Sequence, residues 1–271
     1  MRETQITNRP LTVRHIGFAN WLGFWTLYSK EVQRFTKVWG QTIFAPMITS
    51  LLFLAIFSLA LGGAVRTVND MPFIKFLAPG LVMMAIVQNS FANTSSSMMV
   101  SKVQGVIVDI LMPPLSAGEL VSAFALGGVT RGLVVGASVI VAMSFFAPIG
   151  IDHLWAVLFF SVTGALSLSL CGLIAGIWAE KFDHMASATN FIIVPLSFLS
   201  GTFYSIDRLP DILKNISEIN PFFYIIDGFR YGFLGASDGS IQFGLFYLLI
   251  LSFITWFAAY MLFKKGYKIK S

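Results

Sequence analysis

Residues 154–178 read LWAVLFFSVTGALSLSLCGLIAGIW, and none of these side chains is charged. A helix needs roughly 20 apolar residues to cross the hydrocarbon core of a bilayer. This run is long enough, and a helix that is apolar on every side has no face suited to water. The run therefore predicts a membrane-spanning helix.

Five other runs share this length and composition: 42–63, 74–98, 119–147, 187–204 and 242–263. The run 187–204 is short and contains Pro195, so we expect it to kink or to stop before the far surface. The composition agrees with a membrane location, because 56% of the 271 residues are hydrophobic and only 11% are charged. So few polar groups cannot cover a water-soluble globule of this size. We predict an all-α integral membrane protein with six transmembrane helices.

The segment before the first of these runs has a different pattern. Apolar residues recur there at helical spacing, namely Trp21, Trp25, Tyr28, Val32, Phe35 and Trp39. The polar residues Thr26, Lys30, Gln33 and Lys37 fall on the opposite side. Tryptophan and lysine suit the headgroup layer. We expect residues 1–40 to hold a cytoplasmic N terminus and an amphipathic helix along the membrane surface, with no signal peptide.

Basic residues gather at the two ends of the chain, at Arg2, Arg9 and Arg14 and again from Lys264 onward. Because cytoplasmic segments of membrane proteins are enriched in Lys and Arg, both termini are predicted to lie in the cytoplasm, with a basic tail at 264–271. The net charge of +5 is then explained without nucleic acid as a partner. The expected location is a bacterial inner membrane.

The cytoplasmic segment 101–118 is predicted to be more than a connection. Apolar residues recur at helical spacing ahead of a proline stop, namely Val106, Ile107, Ile110 and Leu111 before Pro113. This pattern predicts a short amphipathic helix. Exposed apolar residues in such a loop call for a partner, either the membrane surface or another protein.

The external segment 205–240 is too long for a plain turn and is rich in aromatic residues and glycine. We expect two short helices there, near 207–218 and 221–235, which dip into the outer leaflet. A re-entrant hairpin of this kind is allowed only where protein satisfies its backbone.

Several motifs together resemble the ABC-2 type export permeases, which include transporters of polysaccharides, lipid-linked glycans and some drugs. The most specific is a signature segment before the last helix, formed by Asn220, Pro221, Tyr224, Gly228 and Arg230. Supporting motifs are Ala78-Pro79-Gly80-Leu81, Leu111-Met112-Pro113-Pro114 and Ser200-Gly201-Thr202-Phe203-Tyr204-Ser205. The resemblance covers nearly the whole chain and identifies 41–263 as an ABC-2 type transmembrane domain.

This resemblance implies a permease that pairs with a second copy of itself and with two ATP-binding subunits. The first cytoplasmic loop would couple to those subunits, and the matching residues are Gln104, Val106, Ile107, Asp109, Ile110, Leu111 and Pro113. The sequence contains no G-x-x-x-x-G-K-[ST] motif to hold nucleotide phosphates. ATP and Mg²⁺ would therefore be bound by the partner subunits, and this chain would bind no cofactor. Its partners would be those subunits, its second copy and membrane lipids.

Four polar side chains inside the predicted spans are costly in lipid and are therefore functional candidates: Gln88, Asn89, Asn93 and Arg131. Arg131 lies roughly 18 Å into the third predicted helix, which is too deep for easy snorkelling. Gln88 and Asn89 fall at a similar depth and offer oxygens to its guanidinium. Two interpretations stay open, a hydrogen-bonded structural brace and a contact to substrate or lipid phosphate along a translocation path.

Two other classes of protein are less consistent with the sequence. A stand-alone secondary transporter or channel would need its own coupling-ion site, and no acidic residue lies in the middle of a predicted span. A membrane-embedded enzyme would need clustered polar residues near one interface. His15, His153 and His184 are scattered over separate loops, so neither a catalytic nor a metal site is predicted. We predict the permease subunit of an ATP-driven exporter for an amphiphilic, glycan or drug-like substrate.

Overall fold

The computed structural model describes residues 17, 19–62, 67–68, 71–147, 150–206 and 209–269. The predicted cytoplasmic N terminus, with Arg2, Arg9 and Arg14, lies outside the described residues. Most of the described chain is helical, as its long apolar runs predict.

The helices follow one another along the chain as α1 (Trp21–Thr36), α2 (Ala45–Gly62), α3 (Phe73–Val103), α4 (Ile107–Leu111), α5 (Ala117–Ser144), α6 (Leu154–Trp178), α7 (Phe182–Ala188), α8 (Val194–Phe198), α9 (Asp211–Ile219), α10 (Pro221–Leu234) and α11 (Ile241–Lys265). One π-helical turn, Gly40–Phe44, leads into α2, and another, Thr189–Ile193, joins α7 to α8. The strands β1 (Thr67–Val68) and β2 (Met71–Pro72) form a short antiparallel pair between α2 and α3, with Thr67 opposite Pro72.

Among the described residues, five helices are long and apolar enough to cross a membrane: Gly40–Leu59, Phe73–Val103, Ala117–Ser144, Leu154–Trp178 and Ile241–Lys265. They coincide with five of the six predicted spans. The all-α membrane fold is thereby confirmed, whereas the count of six is not.

The remaining predicted span, 187–204, is interrupted. It falls into α7, the π-helical turn and α8, with seven, five and five residues. Pro195 has no N–H to continue the hydrogen-bond ladder, and the chain turns at Gly201, whose φ of +74° is in the left-handed region that favours glycine. The proline in the apolar run thus marks a short helix, as expected.

The central helix of the bundle is α3. In the most apolar part of α3, 83% of the residues are buried. In the most apolar parts of the spans that contain α2 and α11, the buried share is 17% in each case. α5 and α6 pack extensively against α3, and small residues allow the close approach, since a Cβ on Gly132 would overlap the Ser90 hydroxyl. α2 and α11 are therefore peripheral, with apolar faces that the described residues leave uncovered.

The short helix predicted in segment 101–118 is present as α4, but its apolar side is buried against other helices of this chain. Ile107 and Ile110 are buried in a cluster that also contains Leu27 of α1 and Phe124 of α5. The expectation that these two isoleucines are exposed was therefore wrong, because α1 and α5 supply the apolar surface that covers them. The exposed residues of the loop are Val103, Gln104, Gly105, Val108, Asp109, Met112, Pro113, Pro114 and Ser116.

The two helices predicted in the segment 205–240 are present as α9 and α10. The Asn220 side chain caps α10 by accepting a 3.0 Å hydrogen bond from the Phe222 N–H, and Pro221 takes the first helical position. α10 packs on α6, α3 and α11 and is largely buried, whereas α9 exposes Ile212 and Ile219. The hairpin thus has one helix inside the bundle and one on its surface.

Candidate functional site

A cluster of polar side chains joins α1 to α3, which we call the α1–α3 cluster. It consists of Glu31, Arg34, Asn93, Ser96 and Ser97. Arg34 Nη2 donates to Asn93 Oδ1 at 2.8 Å and to the Asn93 carbonyl at 2.7 Å, while Arg34 Nε lies 3.4 Å from Glu31 Oε2. Ser97 donates to Glu31 Oε1 at 2.8 Å. One acid and one base balance each other, so the α1–α3 cluster is electrically neutral.

Arg131 of α5 has a different environment. Its Nη2 donates to Asn89 Oδ1 at 3.1 Å. The Asn89 amide nitrogen donates to the Ala85 carbonyl at 3.0 Å, which fixes the amide with its oxygen toward the arginine. Within the described residues, Arg131 Nε is buried without a hydrogen-bond partner, and no carboxylate forms an ion pair with this guanidinium.

The Arg131 side chain borders a cavity of about 500 Å³ between α2, α3 and α5, which we call the Arg131 cavity. Its walls mix polar and apolar side chains, including Gln41, Thr49, Ser50, Gln88 and Asn89 together with Phe53, Leu81 and Met84. None of its described lining residues is acidic. The arrangement therefore presents one positive charge and several amide and hydroxyl groups at a cavity between the helices.

The structure separates the four intramembrane residues that the sequence singles out. Gln88, Asn89 and Arg131 lie together at the Arg131 cavity. Asn93 does not, because its side chain is fully buried and accepts from Arg34. The prediction that Asn89 accepts from Arg131 is confirmed, whereas Gln88 forms no hydrogen bond to Arg131 within the described residues and shares only the cavity with it.

The loop predicted to couple to a partner forms a groove with the first helix. A cavity of about 440 Å³ lies between α1 and α4 and is lined by Leu22, Gly23, Thr26, Leu27, Asp109, Ile110, Pro113 and Leu115, among others. Two contacts hold its walls together at one end, since the Asn20 backbone N–H donates to Glu119 Oε1 at 2.5 Å and the Asn20 amide to the Pro114 carbonyl at 3.3 Å. The start of α1 is thus tied to the start of α5.

The signature segment joins the external hairpin to the rest of the protein. Asn220 Nδ2 donates to the Leu196 carbonyl at 2.8 Å, and Arg230 Nη2 donates to the Gly201 carbonyl at 2.7 Å. The Arg230 guanidinium also lies 3.8 Å from the ring centroid of Phe76 on α3. These contacts connect α10 to the interrupted helix and to the central helix, so the residues are structural in this chain.

Gly228 and Tyr224 of the signature segment pack against neighbouring helices. A Cβ on Gly228 would overlap the Phe160 ring of α6, which explains glycine at that position. Tyr224 lies against Phe243 and Tyr247 of α11, with ring centroids 5.2 Å away in both cases. Both residues fix the position of α10 between its neighbours.

Sequence reasoning missed three charged residues that the structure places inside. Glu31 and Arg34 belong to the α1–α3 cluster, and Asp227 accepts the backbone N–H groups of Asp238 and Gly239 at 2.8 and 2.9 Å. A signal for Glu31 exists, because it lies four residues from both Leu27 and Phe35 on one helical face. No comparable signal marks Asp227.

At the other end of the bundle, Glu180 follows α6 and Lys268 follows α11. Their side chains form an ion pair with 2.6 Å between Nζ and Oε1. This hydrogen bond lowers the pKa of Glu180 and raises the pKa of Lys268, so both groups stay charged around neutral pH. The pair links the ends of two predicted spans that the sequence places on the cytoplasmic side.

In the part of the chain that the structure describes, no group of three or more His, Cys, Asp or Glu residues is positioned to hold a metal ion. His15 lies outside that part. His153 stacks on Tyr231, with ring centroids 4.6 Å apart, and His184 lies beside Trp178 at 5.4 Å. The two described histidines thus have aromatic neighbours.

Comparison with known proteins gives consistent matches along the chain. The family model described as ABC-2 type transporter matches residues 23–234. The inner membrane transport permease YadH of Escherichia coli K12 is 35% identical over 236 residues, covering 86% of this chain and 92% of that protein. Nodulation protein J of Sinorhizobium fredii is 23% identical over 244 residues, covering 88% and 90%, and that of Rhizobium leguminosarum bv. viciae is 25% identical over 235 residues, covering 83% and 86%.

Proposed function

Because the chain belongs to the ABC-2 type transporter family, we propose that it is the permease subunit of an ATP-driven exporter. The cargo would be an amphiphilic, glycan or drug-like molecule that leaves the cytoplasm or the inner leaflet. The membrane-length helices and the relative named as an inner membrane permease identify a multi-pass inner membrane protein. We further propose that both termini are cytoplasmic, which puts α4 on the side where ATP is available.

The observation that carries the proposal is that one side of α4 is buried against this chain while the other side is exposed. Ile107 and Ile110 anchor α4 in the cluster shared with α1 and α5, while Val108, Asp109 and Met112 face outward. The outward side is available to an ATP-binding subunit, and the groove between α1 and α4 provides an adjoining apolar surface. A force applied to α4 is transmitted to α3 and α5, because short connections and buried side chains join these elements.

Two ATP-binding subunits imply two permeases, and we propose that the second is another copy of this chain. The surfaces that support this pairing are the apolar faces of α2 and of the interrupted helix. Leu59 and Phe191 are 82% and 80% exposed in the single chain. Pairing these faces would bury apolar surface and enclose a path between the copies.

We also propose that the interrupted helix 182–198 enters the membrane as the sixth crossing and that α9 and α10 form the re-entrant hairpin. The burial of α10 against α6, α3 and α11 supports this arrangement, because re-entrant backbone is tolerated only where protein surrounds it. The hairpin would then lie at the exit of the path.

The coupling role is tested by Met112→Glu, with Ile151→Glu as the control. Both side chains are apolar and exposed, the first beside α4 (76%) and the second in the connection between α5 and α6 (52%). The permease is reconstituted into liposomes with the ATP-binding protein that co-purifies with it, and ATP hydrolysis is measured. We expect Met112→Glu to lower hydrolysis by about tenfold, because a charge at the centre of an interface is poorly tolerated.

Ile151→Glu should retain hydrolysis close to that of the unmodified protein. Equal hydrolysis by both variants would overturn the assignment of α4 as the coupling element. Purification of the permease from its native membrane without any ATP-binding protein would overturn the assignment of the chain as an ABC permease.

A further inference from the structure

We propose that the Arg131 cavity binds the anionic headgroup of an amphiphilic molecule, a phosphate or a carboxylate, with Arg131 as its charge contact. The inference rests on the proposed transport function, because it names the class of substrate that the permease accepts. It is carried by charge balance, by the geometry of the guanidinium and by the composition of the cavity walls.

The first step is charge balance. A charge held away from water is costly unless an opposite charge or several hydrogen bonds compensate it. Arg34 meets this condition through Glu31, Asn93 and Ser96. Arg131 has the amide oxygen of Asn89 alone as a hydrogen-bond acceptor among the described residues. Among the described residues nothing supplies a counter-charge to Arg131, and the adjoining cavity is where an anion from outside the chain would bind.

The second step is the geometry of the guanidinium. One of its nitrogens, Nη2, is committed to Asn89, whereas the buried Nε has no hydrogen-bond partner within the described residues. Arginine binds phosphate and carboxylate through paired N–H groups. Asn89 fixes the orientation of the guanidinium, and its own amide is held by the Ala85 carbonyl. The donor is thus prearranged before any anion arrives.

The third step concerns the rest of the ligand. The polar wall of the cavity includes Gln41 and Gln88, whose amides are additional donors, while Phe53, Leu81 and Met84 provide apolar wall. A volume of about 500 Å³ is typical of small-molecule sites. A free inorganic anion would lose its water against the apolar wall, whereas an amphiphile keeps its tail in an apolar environment. The walls therefore favour an amphiphile over a soluble ion.

The test uses the full-length permease purified in the uncharged detergent dodecyl maltoside. Dodecyl phosphate is titrated in a calorimeter, with inorganic phosphate and dodecyltrimethylammonium as reference ligands. We expect saturable binding of dodecyl phosphate alone. Arg131→Gln should weaken that binding by at least about tenfold, as expected for loss of a charge-assisted contact. Lys265→Gln, which removes one positive charge from the exposed end of α11, should bind as the unmodified protein does.

Gln88→Glu keeps the proposal testable if Arg131→Gln does not fold. It places a carboxylate inside the same cavity and leaves the arginine present, so it should abolish binding of dodecyl phosphate while the protein remains monodisperse. Unchanged binding in either folded variant, or equal binding of dodecyltrimethylammonium, would overturn the charge assignment. Equal binding of inorganic phosphate would overturn the assignment of an amphiphile. Because the assay contains no ATP-binding subunit, its failure is distinct from failure of the coupling role.

Discussion

Arg34 and Arg131 both lie among the helices, yet among the described residues only Arg34 has a carboxylate as its ion-pair partner. Arg34 lies 3.4 Å from the Glu31 carboxylate in the α1–α3 cluster, whereas Arg131 meets an amide oxygen and a cavity. A balanced pair fixes two helices together, but an unbalanced charge next to open volume is prepared for a ligand. On the proposed assignment, Arg34 is a structural arginine and Arg131 a binding arginine within the same bundle.

The largest effect on stability is expected when the ion pair between Glu31 and Arg34 is broken. Glu31→Leu leaves Arg34 without a counter-charge and should lower the free energy of unfolding by about 2–3 kcal/mol. This is less than the ~3–5 kcal/mol of a fully buried pair, because the Arg34 side chain is 31% exposed. Thermal unfolding in detergent measures the loss, and the double variant Glu31→Leu/Arg34→Leu should recover most of it. Full stability of Glu31→Leu would contradict a structural role.

A smaller effect is expected when the same cluster loses one hydrogen bond. Ser97→Ala removes the hydroxyl that donates to Glu31 Oε1 and should cost about 1–2 kcal/mol, because it leaves a buried carboxylate oxygen without a donor. Ser95→Ala is the control, since that buried hydroxyl donates only to the Ala92 carbonyl of its own helix, at 3.4 Å. Equal stability of the two variants in chemical denaturation would show that Ser97 does not support Glu31.

The smallest effect on stability is expected when Arg131 is replaced. Without ligand, Arg131→Gln should unfold within about 1 kcal/mol of the unmodified protein, because the substitution removes a charge that the protein does not compensate. The same thermal unfolding assay measures it. A loss as large as that of Glu31→Leu would identify Arg131 as a brace, the other interpretation that the sequence leaves open.

The family and the helical architecture were predictable from the sequence because they rest on long, strong signals. Runs such as 154–178 can hardly be anything other than membrane helices, and five of them coincide with helices of membrane length. The motifs around Asn220 and Arg230 led to the ABC-2 family, which the family match confirms. The sixth crossing was harder, because hydropathy does not show that a π-helical turn and Pro195 divide the helix.

Of the candidate site, only the contact between Asn89 and Arg131 could be predicted from the sequence, because both residues lie deep in their helices at a similar level. Depth along the helices placed Arg131 beside Asn89. Depth alone does not show which way a side chain points, so the sequence did not reveal that Asn93 accepts from Arg34. The burial of Ile107, Ile110 and Glu31 depends on contacts between α1, α4 and α5, which are distant in sequence and have no local pattern. The other coupling residues stay a prediction.

The most direct test of the account asks what α4 contacts in the cell. A photoreactive benzoylphenylalanine at position 108, whose native valine is exposed, is activated in intact cells, and the crosslinked protein is identified by mass spectrometry. The account predicts an ATP-binding protein that carries the G-x-x-x-x-G-K-[ST] motif missing from this chain. Crosslinking solely to lipid, or to a protein without a nucleotide site, would contradict it.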